Sequence, residues 1–199
     1  MQPDQHPIFA KFHSELVVGM LDIVRSTEIT MTLSGDQIDD FYATFLQETS
    51  AILHSHSAIV IKNIGDGILF YFPKTFKKDA ESFAEVIECA NALLAGRARI
   101  NEKLSSEHLP IIEYRVSFSF GTVSAMLGSD GSIIDLFGSV INTCTKMNKM
   151  AKPNTCIAGE ALHAKLLELG LAGADDFGEK IGDYKIGDKM SFGVWEIAR

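Results

Sequence analysis

Two short segments, about forty residues apart, restrict this chain more than any other feature. The first, Glu15 to Thr27 (ELVVGMLDIVRST), is an apolar run that ends on a lone carboxylate, Asp22, and a polar turn. That pattern predicts a buried strand with an acid at its end. The second, Ile59 to Phe72 (IVIKNIGDGILFYF), reads as two strands folded back on each other, with Asp66 at the tip between Gly65 and Gly67. Two carboxylates are thus expected at strand ends. If those strands are neighbours in one sheet, their oxygens converge on a spot suited to hard divalent cations such as Mg²⁺ or Mn²⁺.

The chain is long enough for one good core: 199 residues, 46% hydrophobic, with no Pro- or Ser-rich linker in its middle. A single domain over residues 14–199, preceded by an N-terminal segment 1–13, is the expected organisation. No apolar stretch approaches the roughly 18 residues of a membrane span, and the N-terminus lacks a secretory pattern, so no membrane partner and a cytoplasmic location are expected. Cys89, Cys144 and Cys156 are odd in number and widely spaced, which predicts buried reduced thiols rather than a disulfide framework or a zinc site. A formal net charge of -8 argues against a nucleic-acid partner. On that acidic background a bound polyanion needs local cations, backbone amides and metal.

Hydrophobic periodicity alternates along the chain. After the first strand and a loop, Ile38, Phe41, Tyr42, Phe45, Ile52 and Leu53 recur at helical spacing, with Ser34 or Asp36 as N-cap. The hairpin follows, closed by Pro73. Phe83, Ile87, Ala90 and Leu94 then line a second long helix, and Pro110 precedes a strand over Ile111 to Leu127. Strand, helix, two strands, helix, strand is the order of a ferredoxin-like βαββαβ sheet with both helices on one face. In it the first strand and the first strand of the hairpin are expected to lie close together at the centre. From Gly131 onward a short helix (Gly138 to Met150), a strand, a helix and a final hairpin predict an αβαββ extension, for an α+β fold overall.

In the segment DLFGSVINTCTK, Asn142 and Lys146 lie four apart and share a helix face that an anion can bridge. With this segment the order DIVRST, KNIGDG, RVSFSFGTVSAMLG, DLFGSVINTCTKM resembles the catalytic domain of class III nucleotidyl cyclases, the adenylate and guanylate cyclase family. The resemblance covers about residues 14 to 197.

It implies a metal-dependent enzyme in which the ribose 3′-hydroxyl of a nucleoside triphosphate attacks the α-phosphorus and expels pyrophosphate. Asp22 and Asp66, with the backbone of Ile23, match positions that hold two divalent ions (Mg²⁺ or Mn²⁺). Ile23, Val24, Arg25, Ser26 and Thr27 form the phosphate-facing turn, and Lys189 matches a further phosphate-binding lysine. Lys62 and Asp135 match the base-reading pair, which is Lys and Asp in adenylate cyclases and usually Glu and Cys in guanylate cyclases, so ATP is the expected substrate and 3′,5′-cyclic AMP the product. Lys62 only donates and ionised Asp135 only accepts, a pair that adenine's ring nitrogen and amine satisfy. Asn142 matches a ribose-orienting asparagine, and Lys146 stands where the family has a phosphate-stabilising arginine. Arg25 stands where many members have glycine. The family pairs two chains head to tail, each site taking its aspartates from one chain and its base-reading and Asn/Arg residues from the other. A catalytically silent nucleotide-binding relative, or a cyclase of GTP or a pyrimidine nucleotide, is the alternative.

Overall fold

The structure is a computed structural model and describes residues 8–171, 177–187 and 190–197. One mixed sheet organises the described residues. Strand β1 (Ile8–Ile23) lies at its centre, with β3 (Gly67–Phe72) on one side and β4 (Tyr114–Leu127) on the other, both antiparallel to it. Outside β3 runs the edge strand β2 (Ile59–Ile64). The order β2-β3-β1-β4 is the ferredoxin-like core, continued by β6 (Cys156–Gly159), β8 (Met190–Ile197) and β7 (Phe177–Ile186).

The apolar run of β1 is explained by cover on both faces. Val17, Leu21 and Ile23 point to one core, and Leu16, Val18 and Met20 to another. Helices α2 (Gly35–Ser55) and α3 (Ala80–Ser106) pack on the first face, as expected, with α5 (Glu160–Glu168) beside them. Helix α4 (Ser139–Met147) covers the second face through Val140, Ile141, Cys144 and Met147. The start of α2 is set by Ser34, whose hydroxyl accepts from Gln37 N at 3.4 Å while the Gln37 side chain accepts from Ser34 N at 3.0 Å.

Several expectations are corrected. The strand beside β1 is the second strand of the hairpin, β3, and not the first; the right-handed crossover through α2 leaves room for β3 between two parallel strands. The segment after β1 is not all loop, since Ser26–Thr30 form a short helix, α1. A strand β5 (Ile133–Phe137) that periodicity did not show pairs with the far end of β4, so the extension reads βαβαββ. Its five residues are mostly exposed, which removes the alternation that marks a strand. The inner stripe of α3 is rotated: Val86 and Leu93 are fully buried, while Ile87 and Leu94 sit at the margin. Strand β1 also begins at Ile8, inside the segment read as preceding the domain, because β4 offers it an edge as far as Leu127.

Candidate active site

The two carboxylates meet through the ladder between β1 and β3. Asp22 is paired with Gly67, and Asp66 is the residue just before it. Gly65, at φ 60°, makes the tight turn that presents Asp66. A Cβ on Gly67 would lie 2.8 Å from Leu21 O and 3.5 Å from Asp22 Oδ1, so only glycine lets the hairpin approach β1 this closely. The Asp22 carboxyl is held above the usual range, first by burial and then by the charge of Asp66, against the pull of Arg115 and Lys149. Arg115 Nη2 reaches Asp22 Oδ2 at 3.2 Å, and both side chains are about four-fifths buried.

This donor set fits a cation that brings most of its own ligands. No group of three or more His, Cys, Asp or Glu side chains that could hold a metal ion occurs among the described residues. Two carboxylates and the backbone of Ile23, whose side chain is in the core, suit Mg²⁺ or Mn²⁺ completed by water and phosphate oxygens. Their mutual repulsion is what a divalent ion would relieve.

The turn after Asp22 contains Val24, whose N–H donates to Glu113 O at 2.8 Å, then Arg25, Ser26 and Thr27. Arg25 adopts the left-handed conformation, φ 57° and ψ 32°, at the position where glycine is common in the family. Its exposed guanidinium faces Glu113 at 3.7 Å.

Three of the other candidate residues line a cleft of about 330 Å³. Lys62 Nζ and Asp135 Oδ2 are 2.5 Å apart, although 73 positions separate them in the chain. Asp135 is aimed by Leu136 N, which donates to its Oδ1 at 2.8 Å. Lys62, Asn142 and Lys146 line the cleft with Leu69 and Ile141, whereas Asp22 and Asp66 do not. The structure therefore forms two clusters: Asp22, Asp66 and the 23–27 turn in one, Lys62, Asp135, Asn142 and Lys146 in the other. Lys189 lies outside the described residues. A larger cavity of about 400 Å³ lies against Ser139, Val140 and Thr143 of α4 and contains none of the residues singled out from the sequence. Its lining offers no cation and no convergent acids, so the chemistry points to the smaller cleft.

Sequence reading missed Arg115. The one available signal was a lone basic residue in an otherwise apolar and hydroxylic strand, and nothing in it named Asp22 as the partner. The three cysteines are buried, as expected, and burial pushes the Cys89 and Cys144 thiols up to about 12. No helix among the described residues is long and apolar enough to cross a membrane.

Known proteins show the same plan. The adenylyl cyclase CyaB from P. aeruginosa superposes with a TM-score of 0.80 at 14% identity, covering 94% of this chain and 95% of that one. The guanylyl cyclase Cya2 gives 0.76 at 14% identity over 94% and 92%. The catalytic core of a rhodopsin-guanylyl cyclase with converted specificity, in complex with ATPαS, gives 0.70 at 16% identity over 98% of both chains. At these identities the likeness is one of fold. Among curated relatives, the receptor-type guanylate cyclase gcy-4 of Caenorhabditis briggsae is 26% identical over 156 residues, 77% of this chain and 13% of that protein. Its Caenorhabditis elegans counterpart is 23% identical over 155 residues, again 13% of its length. The chain thus matches only a small part of these relatives. The family model of the adenylate and guanylate cyclase catalytic domain, however, matches residues 9–173, most of the chain. With that match and the sheet order just described, the chain belongs to the adenylate and guanylate cyclase catalytic domain family.

Proposed function

We propose that this domain converts ATP to 3′,5′-cyclic AMP and pyrophosphate as a head-to-tail homodimer. The observation that carries the choice of ATP is the Lys62–Asp135 pair, 2.5 Å apart at a cleft that also holds Asn142 and Lys146. Set side by side, Lys62 donates to a ring nitrogen of adenine while Asp135 accepts from its exocyclic amine. Guanine offers a carbonyl and a ring N–H in that region. Each buried group left unpaired by the wrong base costs roughly 1 to 3 kcal/mol.

Asp22 and Asp66 are the residues that would hold divalent ions, which when bound would lower the pKa of the 3′-hydroxyl and offset the charge of the phosphates. Asn142 orients the ribose so that this hydroxyl lies in line with the α-phosphorus. Lys146 supplies a positive charge to the triphosphate, as a flexible point charge rather than a planar fork. The turn from Ile23 to Thr27 lies beside Asp22 and would face the phosphates, and Arg25 adds a cation.

Support for the homodimer comes from the separation of the two clusters within one chain and from the surface around the cleft. Ile59, Val60 and Ile64 on the edge strand β2, with Ile133, Ile134 and Phe137 on β5, are all more than a third exposed. Exposed apolar side chains on strands beside the cleft fit a contact with a second copy. Two such contacts about one axis would bring Asp22 and Asp66 of each chain to the cleft of the other.

A second reading, cyclisation of GTP, is favoured by the guanylate cyclase names of the curated relatives. Incubation of the chain with each of the four ribonucleoside triphosphates and Mn²⁺ separates the two. Cyclic AMP as the main product, lost in Asp22→Ala, is the expected result; cyclic GMP would select the second reading, and inactivity with all four would remove both.

A further inference from the structure

We propose that Asn148 is a positioning residue that ties the carboxylate end of β1 to helix α4, so that both half-sites of one chain are held by a single buried amide. Asn148 begins the 3₁₀ turn that follows α4 and is 2% exposed. The two hydrogens of its Nδ2 are shared among Met20 O at 3.0 Å, Ser117 Oγ at 3.2 Å and Arg115 O at 3.3 Å. Met20 stands two residues before Asp22, and Arg115 is the residue whose guanidinium bonds Asp22. One amide group therefore grips the two adjacent strands that place Asp22 and its guanidinium partner.

The same side chain is anchored to α4. Ser117 Oγ, which accepts from Asn148, donates in turn to Cys144 O at 2.9 Å, and Cys144 Sγ points back to Ser117 O at 3.3 Å. Two residues before Asn148, on the outward face, stands Lys146, with Asn142 one turn earlier. A shift of α4 over the sheet would thus move Asn142 and Lys146 relative to Asp22, and these bonds oppose it.

Packing alone does not account for an amide here. Asn148 Oδ1 is buried with no hydrogen-bond partner, and so is Arg115 Nε. The unpaired oxygen is a cost that the hydrogen bonds from Nδ2 offset. Two backbone carbonyls, which can only accept, keep Nδ2 and not Oδ1 on this side. Supporting side chains behind a metal ligand commonly set its affinity by ten- to a hundredfold, without touching the ion.

The inference rests on the proposed roles of Asp22 and of α4, and the experiment separates the two. Mn²⁺ binding by the full chain is followed by electron paramagnetic resonance of the free ion, without nucleotide, for the native protein, Asn148→Ala, Asn148→Thr and Asp22→Asn. Asn148→Ala should weaken Mn²⁺ binding by about tenfold or more and also raise the KM for ATP, with a cooperative thermal transition retained. Asn148→Thr, which keeps one donor, should fall between it and the native chain. Mn²⁺ affinity and KM within about twofold of native in a folded Asn148→Ala protein would overturn the proposal. If neither Asn148 variant folds, the residue is a structural pin and the positioning role is withdrawn. Asp22→Asn that binds Mn²⁺ as the native chain does would sink the underlying site reading instead.

Discussion

Arg115 and Asp22, 93 positions apart in the chain, are joined by a hydrogen bond from Nη2 to Oδ2 at 3.2 Å across neighbouring strands. The bond opposes two forces that push the Asp22 carboxyl towards its neutral form, burial and the nearby charge of Asp66. A carboxylate must be ionised to hold a cation, so Arg115 has a role even though it adds positive charge beside the site.

Removing that guanidinium should therefore raise the Asp22 pKa further. In the pH–rate profile of Arg115→Leu, the acidic limb is expected to move to higher pH, with lower activity at neutral pH. An acidic limb that stays in place would mean that Asp22 does not govern it.

At the cleft, Lys146 keeps a charge but not the paired donors of arginine. Lys146→Ala should lower kcat by about 10²-fold or more, the usual cost of one preorganised donor, and Lys146→Arg should raise it above native. Steady-state kinetics with ATP measures both. An unchanged rate in Lys146→Arg would take Lys146 out of the site.

The Lys62–Asp135 pair should decide the base. Replacing it by the pair usual in guanylate cyclases, Lys62→Glu with Asp135→Cys, is expected to shift the ratio of kcat/KM from ATP towards GTP by roughly tenfold or more, since each mispaired buried group costs about 1 to 3 kcal/mol. Competition assays with both nucleotides would show it. A ratio that does not move would place base recognition elsewhere.

If each site draws on two chains, mixing two inactive variants should restore activity. Asp22→Ala and Lys146→Ala, each strongly impaired alone, are expected to regain up to about a quarter of native activity in an equimolar mixture that exchanges subunits, because statistical mixing makes half the dimers mixed and each mixed dimer has one intact site. No recovery in a mixture shown to contain mixed dimers would exclude the shared site.

Stability in acid should depend on Glu48, a buried carboxylate of α2 that accepts from Lys103 Nζ and forms an ion pair with Arg99 Nη2 at 2.6 Å. The hydrogen bond from Lys103, helped by the Arg99 charge, lowers its pKa below the ordinary 4.5 despite burial. A lowered folded pKa means stability that is present above the unfolded value and lost as pH falls through the folded one. Thermal melts of Glu48→Gln should lie below native at pH 7 and converge with it as the pH falls through the lowered folded pKa of Glu48. Parallel melting curves across that range would contradict this account.

Much of the plan is local and was readable from local signals. Ser34 and Gln37 mark where α2 starts, Gly65-Asp66 marks the hairpin, and the apolar run ending at Asp22 marks a strand covered on both faces. Each follows from periods of 2 and 3.6 or from backbone preferences that act over a few residues. The order of the motifs did the rest for family membership.

Which residues meet across the sheet was decided by tertiary structure. That β3 and not β2 lies against β1, that Asp22 pairs with Arg115, and that Lys62 finds Asp135 all depend on strand order and register, which couple positions 45 or more apart. Asn148 shows the limit most clearly: in the sequence it is one polar residue after a lysine and a methionine, and only the packing of α4 on β1 and β4 turns it inward. Local patterning can specify an element and its buried face, but not the partner that a polar group finds on a distant strand. That partner is set by the free energy of the whole packed arrangement.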